Sequence, residues 1–314
     1  MKKITFLIVT WNNADCILEC LDSIYKHCQD FKIIIVDNAS SDQTVSLIQN
    51  QCYQDVIIYA KKENMGFAKG NNYGLSKVDT PYLCYLNPDT ILLEDIVIPS
   101  IEILEKDNTV GLVGCKLLNS DLSLQPSTFP FLNHLQVYIE SFRLGKLFPN
   151  FIREKYFPNV SKSLKSKYVD WVIGAEMILR TEDAIKVDGF STEYYMYVED
   201  MDICKKIYTF LQKKVYYLAN VTLIHVGGVS ESKNKNYSKL EKLIHNKVQF
   251  VEKFANYRET KKTIKALIHS YWIRYWFIYC FYFHNRENRQ YYLEKMKKGI
   301  IFASKEKTFI KRGV

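Results

Sequence analysis

The chain has 314 residues, 47% hydrophobic and 25% charged, which provides for a full hydrophobic core and excludes an intrinsically disordered protein. Its net charge of +9 is unevenly distributed: residues 1–230 carry 23 Lys and Arg against 27 Asp and Glu, whereas residues 231–314 carry 20 against 7. The first part therefore has the charge balance of an ordinary enzyme, and the second part is suited to an anionic partner.

The first third of the chain alternates continuous apolar runs with amphipathic stretches. The runs predict buried parallel strands over 4–10, 32–37, 55–60 and 81–87, and the amphipathic stretches predict helices over 16–27 and 44–52. Strands that alternate with helices form right-handed βαβ units with a sheet covered on both faces. Ligands bind such sheets at the carboxyl ends of the strands.

The rest of the chain is less regular. It predicts a strand over 110–115, an irregular aromatic and basic segment over 116–168, and renewed strand character over 168–180. An acidic loop and helix over 182–211, a strand over 214–226 and helices from 238 onward complete the prediction. The eight cysteines show no paired CxxC spacing, so we interpret them as free thiols in a reducing cytoplasm.

Polar residues follow three of the predicted strands. They are Thr10–Asn13 after the first strand, Asp37–Asp42 after the second and Asn87–Thr90 after the fourth. A single group of this kind is usually a turn or a helix cap, but three at successive strand ends indicate a binding site. Between them, Asn64–Gly74 contains small residues that allow a close backbone approach to phosphate or ribose oxygens.

Seven segments in this order resemble the bacterial glycosyltransferase family 2 of the GT-A type, in its rhamnosyltransferase-like subgroup: VTWNN, VDNASSD, NMGFAKGNNYG, LNPDT, GAEMILR, YVEDMDIC and HVGGVS. The resemblance implies an α/β fold, with a Rossmann-like nucleotide-sugar-binding domain on a mixed central sheet and a C-terminal helical appendage. We expect the catalytic domain over 1–230, with a nucleotide-binding half over about 1–115 and an acceptor-binding half over about 116–230.

The resemblance also assigns the donor site. Asp89, in the position of the family's DxD motif, and His225, before two glycines, would hold Mg²⁺ or Mn²⁺ at the donor diphosphate. Asp37 would contact the base. The full set implied to bind the nucleotide sugar is Thr10, Asn12, Asp37, Asn38, Asn64, Gly66, Gly70, Asn71 and Asn87.

In the same family the second acid of the ED pair is the general base of an inverting displacement. That residue is Asp200 here, and Glu199 is implied to contact the acceptor or the helix start. Trp171, Gly174 and Ala175 correspond to acceptor-lining positions. Glu176 departs from the family pattern, because an apolar or small residue is usual there. Asp202 is expected to point elsewhere and to cap its helix.

The C-terminal region over 231–314 contains an aromatic run, residues 266–284, flanked by lysines and arginines. A helix of this length is marginal for crossing a bilayer, and its Tyr and Trp content favours the membrane interface. We expect peripheral contact with an anionic membrane surface. The alternative is a core helix or the helix of a homodimer. The aromatic centre argues against nucleic-acid binding.

The sequence therefore predicts a cytoplasmic enzyme on the inner face of a bacterial membrane. It would transfer a sugar from dTDP-rhamnose or a UDP-hexose to a saccharide, free or lipid-linked, in cell-surface polysaccharide synthesis. The alternative is a catalytically inert protein of the same fold that binds nucleotide sugars or acts as a scaffold. The presence of Asp89 and Asp200 favours the enzyme.

Overall fold

The computed structural model describes residues 2–141, 165–194, 198–227, 237–281 and 286–310. The strands are β1 (Ile4–Thr10), β2 (Phe31–Asp37), β3 (Val56–Ala60), β4 (Tyr82–Leu86), β5 (Thr90–Leu92), β6 (Val110–Leu118), β7 (Thr128–Phe129), β8 (Lys167–Val169), β9 (Trp171–Val172), β10 (Glu176–Arg180) and β11 (Lys214–His225). The helices are α1 (Ile17–His27), α2 (Thr44–Asn50), α3 (Phe67–Leu75), α4 (Val97–Lys106), α5 (His134–Ser141), α6 (Thr181–Lys186), α7 (Glu199–Phe210), α8 (Ser238–Phe254), α9 (Tyr257–Phe281) and α10 (Arg286–Ile310).

The central sheet has the order β3-β2-β1-β4-β10-β6-β11-β5, with β8 paired to β11. Strands β3, β2, β1 and β4 are parallel, and β10 runs antiparallel between β4 and β6. The expectation of a mixed sheet is therefore confirmed. The chain moves outward from β1 to β3 and then returns to place β4 on the other side of β1, which creates a topological switch point beside β1.

Helices cover both faces of the sheet. Alternate residues of β1, such as Phe6 and Ile8, belong to the main core with residues of α1 and α4. On the opposite face Leu7 lies so close to Gly74 of α3 that a Cβ on that glycine would come within 2.2 Å of a Leu7 methyl. Because β1 has neighbours on both faces, its residues are almost all buried, which explains its continuous apolar run.

The segment 168–180, which the sequence predicts to have strand character, is divided. It forms three short strands with different partners: β8 pairs with β11, β9 with β7, and β10 with β4 and β6. Polar Asp170 and the Gly174–Ala175 pair fall at the two breaks. The segment predicted as irregular, 116–168, also contains helix α5, and its residues 142–164 lie outside the described residues.

The chain divides into two compact units, the first formed by Met1–Phe129, Lys162–Tyr194 and Glu199–Ser232, and the second by Pro130–Ser161, Tyr195–Val198 and Lys233–Val314. The second unit has its own core, in which α5, α8, α9 and α10 contribute residues such as Val137, Ile244, Leu267 and Ala303. In the part of the chain that the structure describes, every helix is too short or too polar to cross a membrane.

Helix α9 has two different halves. Its first half packs into the core of the second unit through Ile264, Ala266 and Leu267. Its second half exposes aromatic side chains, among them Trp276 at 54% and Phe277 at 63%. The aromatic run 266–284 is thus partly a core helix and partly an exposed surface, and its residues 282–284 lie outside the described residues.

Candidate active site

The three polar strand ends meet at one edge of the sheet. Thr10 at the end of β1 is in register with Asp37 at the end of β2, and Ile8 of β1 is in register with Leu86 at the end of β4. The structure therefore brings together the residues after β1, β2 and β4, at the switch point where an open α/β sheet binds its ligand.

Asp37 joins the first two loops. Its carboxylate is 2% exposed and accepts hydrogen bonds from Thr10 Oγ1 at 2.8 Å, from the Ser40 amide at 2.9 Å and from Ser40 Oγ at 2.5 Å. A carboxylate has about four acceptor positions, so most of its capacity is used within the protein. Asp37 therefore fixes the shape of the pocket in addition to any contact with a base.

Asn12 also joins the loops that follow β1 and β2. Its side-chain oxygen accepts a hydrogen bond from the Ser41 backbone amide at 2.8 Å, and its backbone amide donates to Ser40 Oγ at 2.9 Å. Asn12 and Ala39 both have positive φ, 55° and 59°, so each loop makes a tight left-handed turn at this point. These bonds hold the loops in place without a ligand.

Helix α3 begins beside these loops. Asn38, 2% exposed, donates from Nδ2 to Gly66 O at 3.1 Å, and its Oδ1 has no partner. Gly66 has φ of +83°, and a Cβ on Gly70 would lie 2.9 Å from Val9 Cγ1, so both positions require glycine. Asn64 accepts the Gly66 amide, whereas Asn71 is buried and bonds to Phe67 O within α3.

Asp89, which follows β4, and His225, the last residue of β11, come together. Asp89 Oδ1 lies 3.5 Å from His225 Nε2, and Asp89 Oδ2 accepts the Gly227 amide at 3.2 Å. The Asn87 side chain also lies 3.5 Å from His225 Nε2. Burial would raise the pKa of the Asp89 carboxyl, but the neighbouring His225 ring and the Gly227 backbone amide outweigh that effect, so the pKa lies below its ordinary value.

A residue that the sequence did not indicate, Gln125, contacts the other ring nitrogen of His225. Gln125 Oε1 lies 2.8 Å from His225 Nδ1, while Gln125 Nε2 donates to His225 O at 3.1 Å and to Asn119 Oδ1 at 2.9 Å. The contact joins residues 100 positions apart. Gln125 lies in the segment that the sequence marks only as irregular, so no motif points to it.

Asp200 lies in the first turn of α7. Its Oδ2 accepts the Gly174 amide at 3.3 Å and its Oδ1 accepts the Met201 amide at 2.8 Å. Burial raises the pKa of the Asp200 carboxyl to about 7, and the neighbouring Glu199 carboxylate adds to the shift. Asp200 therefore has the acidity of a general base that works near neutral pH.

Asp200 is linked to the Asp89–His225 pair through Gly174 and Ala175. The Asn87 amide donates to Ala175 O at 2.9 Å, and the adjacent Gly174 amide donates to Asp200. A Cβ on Gly174 would lie 3.3 Å from Asp200 Cβ, so a larger residue would press on the Asp200 side chain. Trp171 takes no part in this link. Its ring stacks on Phe129 with centroids 4.5 Å apart and remains partly exposed.

Two further acids have structural surroundings. Asp202 is 0% exposed and accepts hydrogen bonds from Ser191 Oγ and from Tyr194 OH, so it anchors the segment before α7. Glu176, 2% exposed, accepts the Cys115 amide at 2.8 Å through Oε2, and its Oε1 has no partner. Tyr197 and Gly228, which belong to the YVEDMDIC and HVGGVS motifs, lie outside the described residues.

The donor atoms around Asp89 fit a divalent cation that shares its ligands with a substrate. Among the described residues no group of three or more His, Cys, Asp or Glu could hold a metal ion alone. One carboxylate, one imidazole nitrogen and a nearby amide leave positions for diphosphate oxygens and water, as is usual for Mg²⁺. Burial raises the pKa of the nearby Cys20 thiol to about 12, so Cys20 is not a thiolate ligand.

Residues 5–142 match the family model described as Glycosyl transferase family 2. The rhamnosyltransferase WbbL of Escherichia coli is 28% identical over 208 residues, which cover 64% of this chain and 75% of that protein. The teichoic acid poly(glycerol phosphate) polymerase of Staphylococcus epidermidis is 26% identical over 60% of this chain, and the chain spans only 28% of its length.

Two solved structures show the same fold. The mannosyltransferase PcManGT of Pyrobaculum calidifontis, in complex with GDP-Man and Mn²⁺, has a TM-score of 0.60 at 16% identity, over 96% of this chain and 86% of its own. TarS 1-349 of S. aureus has a TM-score of 0.51 at 15% identity, over 99% and 92%. The expected GT-A type α/β fold is confirmed.

Proposed function

We propose that this chain is an inverting, metal-dependent enzyme that transfers a sugar from a nucleotide diphosphate donor to a saccharide hydroxyl. The match of residues 5–142 to glycosyltransferase family 2 and the similarity to a rhamnosyltransferase support the proposal. The observation that carries the proposal is the joined pair of groups at one edge of the sheet. Asp89 and His225 form one group and Asp200 forms the other. The backbone amides of Asn87 and Gly174 connect them by donating to Ala175 O and to the Asp200 carboxylate.

The reaction is a single displacement. The acceptor hydroxyl gives its proton to the Asp200 carboxylate while its oxygen bonds to the anomeric carbon of the donor sugar. The bond between that carbon and the diphosphate oxygen breaks, and its electron pair leaves with the nucleoside diphosphate. The pKa of about 7 lets Asp200 be ionised near neutral pH and still accept the proton.

The leaving diphosphate gains negative charge, which a bound Mg²⁺ or Mn²⁺ would stabilise. Asp89 would ligate the metal through its carboxylate and His225 through Nε2, with the Asn87 amide beside them. The Thr10, Asn12, Asp37 and Asn38 loops would hold the nucleoside, and the α3 segment from Asn64 to Asn71 would face ribose and phosphate.

The relatives guide the choice of substrate. The rhamnosyltransferase relative supports dTDP-rhamnose as the first donor to test and a UDP-hexose as the second. The teichoic acid relative supports an acceptor in cell-surface polymer synthesis, free or lipid-linked. Trp171 and Glu199 would contact the acceptor. We place the enzyme on the inner face of the membrane, bound peripherally through the aromatic half of α9.

The test combines a donor screen with the metal residue. UDP-, dTDP- and GDP-sugars are screened for Mn²⁺-dependent hydrolysis and thermal stabilisation, and the best donor is repeated with Asp89→Asn and with EDTA. We expect both treatments to abolish transfer while the variant keeps its fold by circular dichroism. Full activity in EDTA or in Asp89→Asn contradicts the metal assignment. Donor binding without any hydrolysis or transfer by the wild type supports the inert alternative.

The stereochemistry tests the displacement itself. Attack opposite the leaving group inverts the anomeric carbon, so the product should have the configuration opposite to that of the donor. One-bond carbon–proton couplings measured by NMR on the isolated product distinguish the two anomers. A product with the donor's configuration would rule out Asp200 as the base of a single displacement.

A further inference from the structure

We propose that Gln125 is a positioning residue for the metal site: it fixes the His225 tautomer and ring orientation so that Nε2 presents its lone pair beside Asp89. This inference rests on the proposed function, because it concerns the same metal pair. It adds a residue from the segment 116–168 that neither the motifs nor the strand-end argument identifies.

The direction of the hydrogen bond follows from the partners of the Gln125 side-chain amide. Its Nε2 donates to two oxygens, His225 O at 3.1 Å and Asn119 Oδ1 at 2.9 Å. With the nitrogen placed there, Oε1 is the atom that faces His225 Nδ1 at 2.8 Å. An amide oxygen can only accept, so Nδ1 must carry the hydrogen. A neutral imidazole with hydrogen on Nδ1 has its lone pair on Nε2.

Nε2 is the nitrogen that faces the metal residues. It lies 3.5 Å from Asp89 Oδ1 and 3.5 Å from Asn87 Nδ2. A histidine that binds a metal through one nitrogen commonly donates the other N–H to an acceptor, which fixes the ring and increases the basicity of the ligand. Gln125 supplies that acceptor here.

Backbone hydrogen bonds hold the loop that carries Gln125. Asn119 accepts the Leu122 amide and donates its own amide to Ser123 O at 2.8 Å, which closes a tight turn after β6. The backbone amide of Gln125 donates to Leu117 O at 2.9 Å. The side chain is therefore placed before any ligand arrives, as a positioning group requires.

Two substitutions at this position separate an acceptor role from a purely structural one. Gln125→Leu removes the acceptor and the donor, whereas Gln125→Glu replaces the donor to His225 O and Asn119 with a carboxylate oxygen and keeps an acceptor for Nδ1. If Gln125 only holds its loop, the two variants should be impaired alike. If it positions His225, the Gln125→Glu variant should keep the metal affinity and the His225 tautomer that the Gln125→Leu variant loses.

The first readout is Mn²⁺ affinity, measured on the full chain by electron paramagnetic resonance of free Mn²⁺, with and without nucleoside diphosphate. We expect Gln125→Leu to weaken Mn²⁺ binding by about 10-fold to 100-fold, the usual range for such partners of metal ligands. Gln125→Glu should stay within about 3-fold of the wild type. The control is Gln49→Leu, the same change on the exposed side of α2, which should match the wild type.

The second readout is the His225 tautomer, taken from long-range ¹H–¹⁵N correlations of the imidazole ring in the metal-free protein and assigned with His225→Gln. Wild type and Gln125→Glu should show hydrogen on Nδ1, and Gln125→Leu should shift toward hydrogen on Nε2. Wild-type hydrogen on Nε2, or equal metal affinity in the wild type and Gln125→Leu, would overturn the proposal. Failure of the proposed transferase activity would leave both measurements interpretable.

Discussion

Two carboxyl groups of the first unit have raised pKa values for the same reason, but they differ in what surrounds them. Burial raises the pKa of both Asp200 and Glu176 to about 7. Asp200 is only partly buried and sits at the candidate site, whereas Glu176 lies in β10 among buried strands with one oxygen unpartnered. The first can exchange a proton with a substrate, and the second can affect only stability.

For Asp200 we expect a loss of chemistry without a loss of donor binding. Asp200→Asn should lower kcat by at least about 100-fold, the usual scale for a general base, at nearly unchanged donor affinity. In the wild type kcat/KM should rise with pH through about 7 as the carboxyl ionises. Glu199→Gln removes a charge that raises the Asp200 pKa, so it should move this rise to lower pH. An inactive Glu199→Gln with an active Asp200→Asn would reverse the two roles.

For Glu176 the expected effect is on folding. Its pKa is raised from 4.5 to about 7, so its protonated form favours the native state and stability is lost as pH rises from 4.5 through about 7. Glu176→Gln should remove on the order of 3 kcal/mol of this pH dependence. The measurement is urea unfolding at pH 5 and pH 8, compared as the difference between variant and wild type because Asp200 contributes in the same direction. The control is Glu63→Gln, at an exposed position. If Glu176→Gln loses as much stability between pH 5 and pH 8 as the wild type does, the raised pKa of Glu176 is contradicted.

At the scale of elements, α9 changes character along its length. Its first half is held by the second unit's own core, and His134 and Tyr138 of α5 bond to Glu259 and His269 of α9. Its second half exposes Trp272, Trp276 and Phe277, between 45% and 63%. Exposed aromatic rings beside an excess of lysine and arginine fit the interface of an anionic bilayer.

We expect the wild type to sediment with anionic vesicles at low salt and to be released at high salt. Trp272→Ser together with Trp276→Ser should lose binding, because indole burial in the interface is lost, while the fold is kept because neither ring is in the core. Tyr208→Ser in α7, equally exposed, is the control. Absence of wild-type binding at low salt would end the membrane assignment, and a dimer that the double variant dissociates would show that a second copy covers this face.

Helices and strands could be predicted from the sequence where their apolar residues follow one clear pattern. Strands β1 to β4 match their predicted runs to within one residue. In β1, β2 and β4 the continuous apolar run reflects burial, whereas β3 lies at the edge of the sheet and is only partly buried, which corrects the prediction for that strand. Helix α3 was missed because it is rich in glycine and asparagine and is held by tertiary contacts such as Asn72 with Phe190. Local propensity carries no information on such contacts. For the same reason Asp89, Asp200 and His225 could be named from motifs, and Gln125 could not.

At the scale of the whole molecule, the charge asymmetry and the two compact units fall at similar places in the sequence. The basic residues 231–314 provide most of the second unit, which also includes Pro130–Ser161 and Tyr195–Val198. A shift in sequence composition reveals a unit only where a long continuous segment belongs to it. Helix α5 is a short segment whose core partners lie more than 100 residues away in sequence, so composition does not reveal that it belongs to the second unit. The boundary at residue 230 stays a prediction.

The pairing of β5 with β11 has a consequence for local stability. β5 is a three-residue strand at the end of the sheet order, and its register places Thr90 opposite His225. A short edge strand can fray at a free-energy cost well below that of global unfolding. Fraying here would separate Asp89 from His225 and break its bonds to the amides of Val226 and Gly227. A cation held by both side chains would oppose fraying, so these two amides should exchange with deuterium more slowly when the metal is bound.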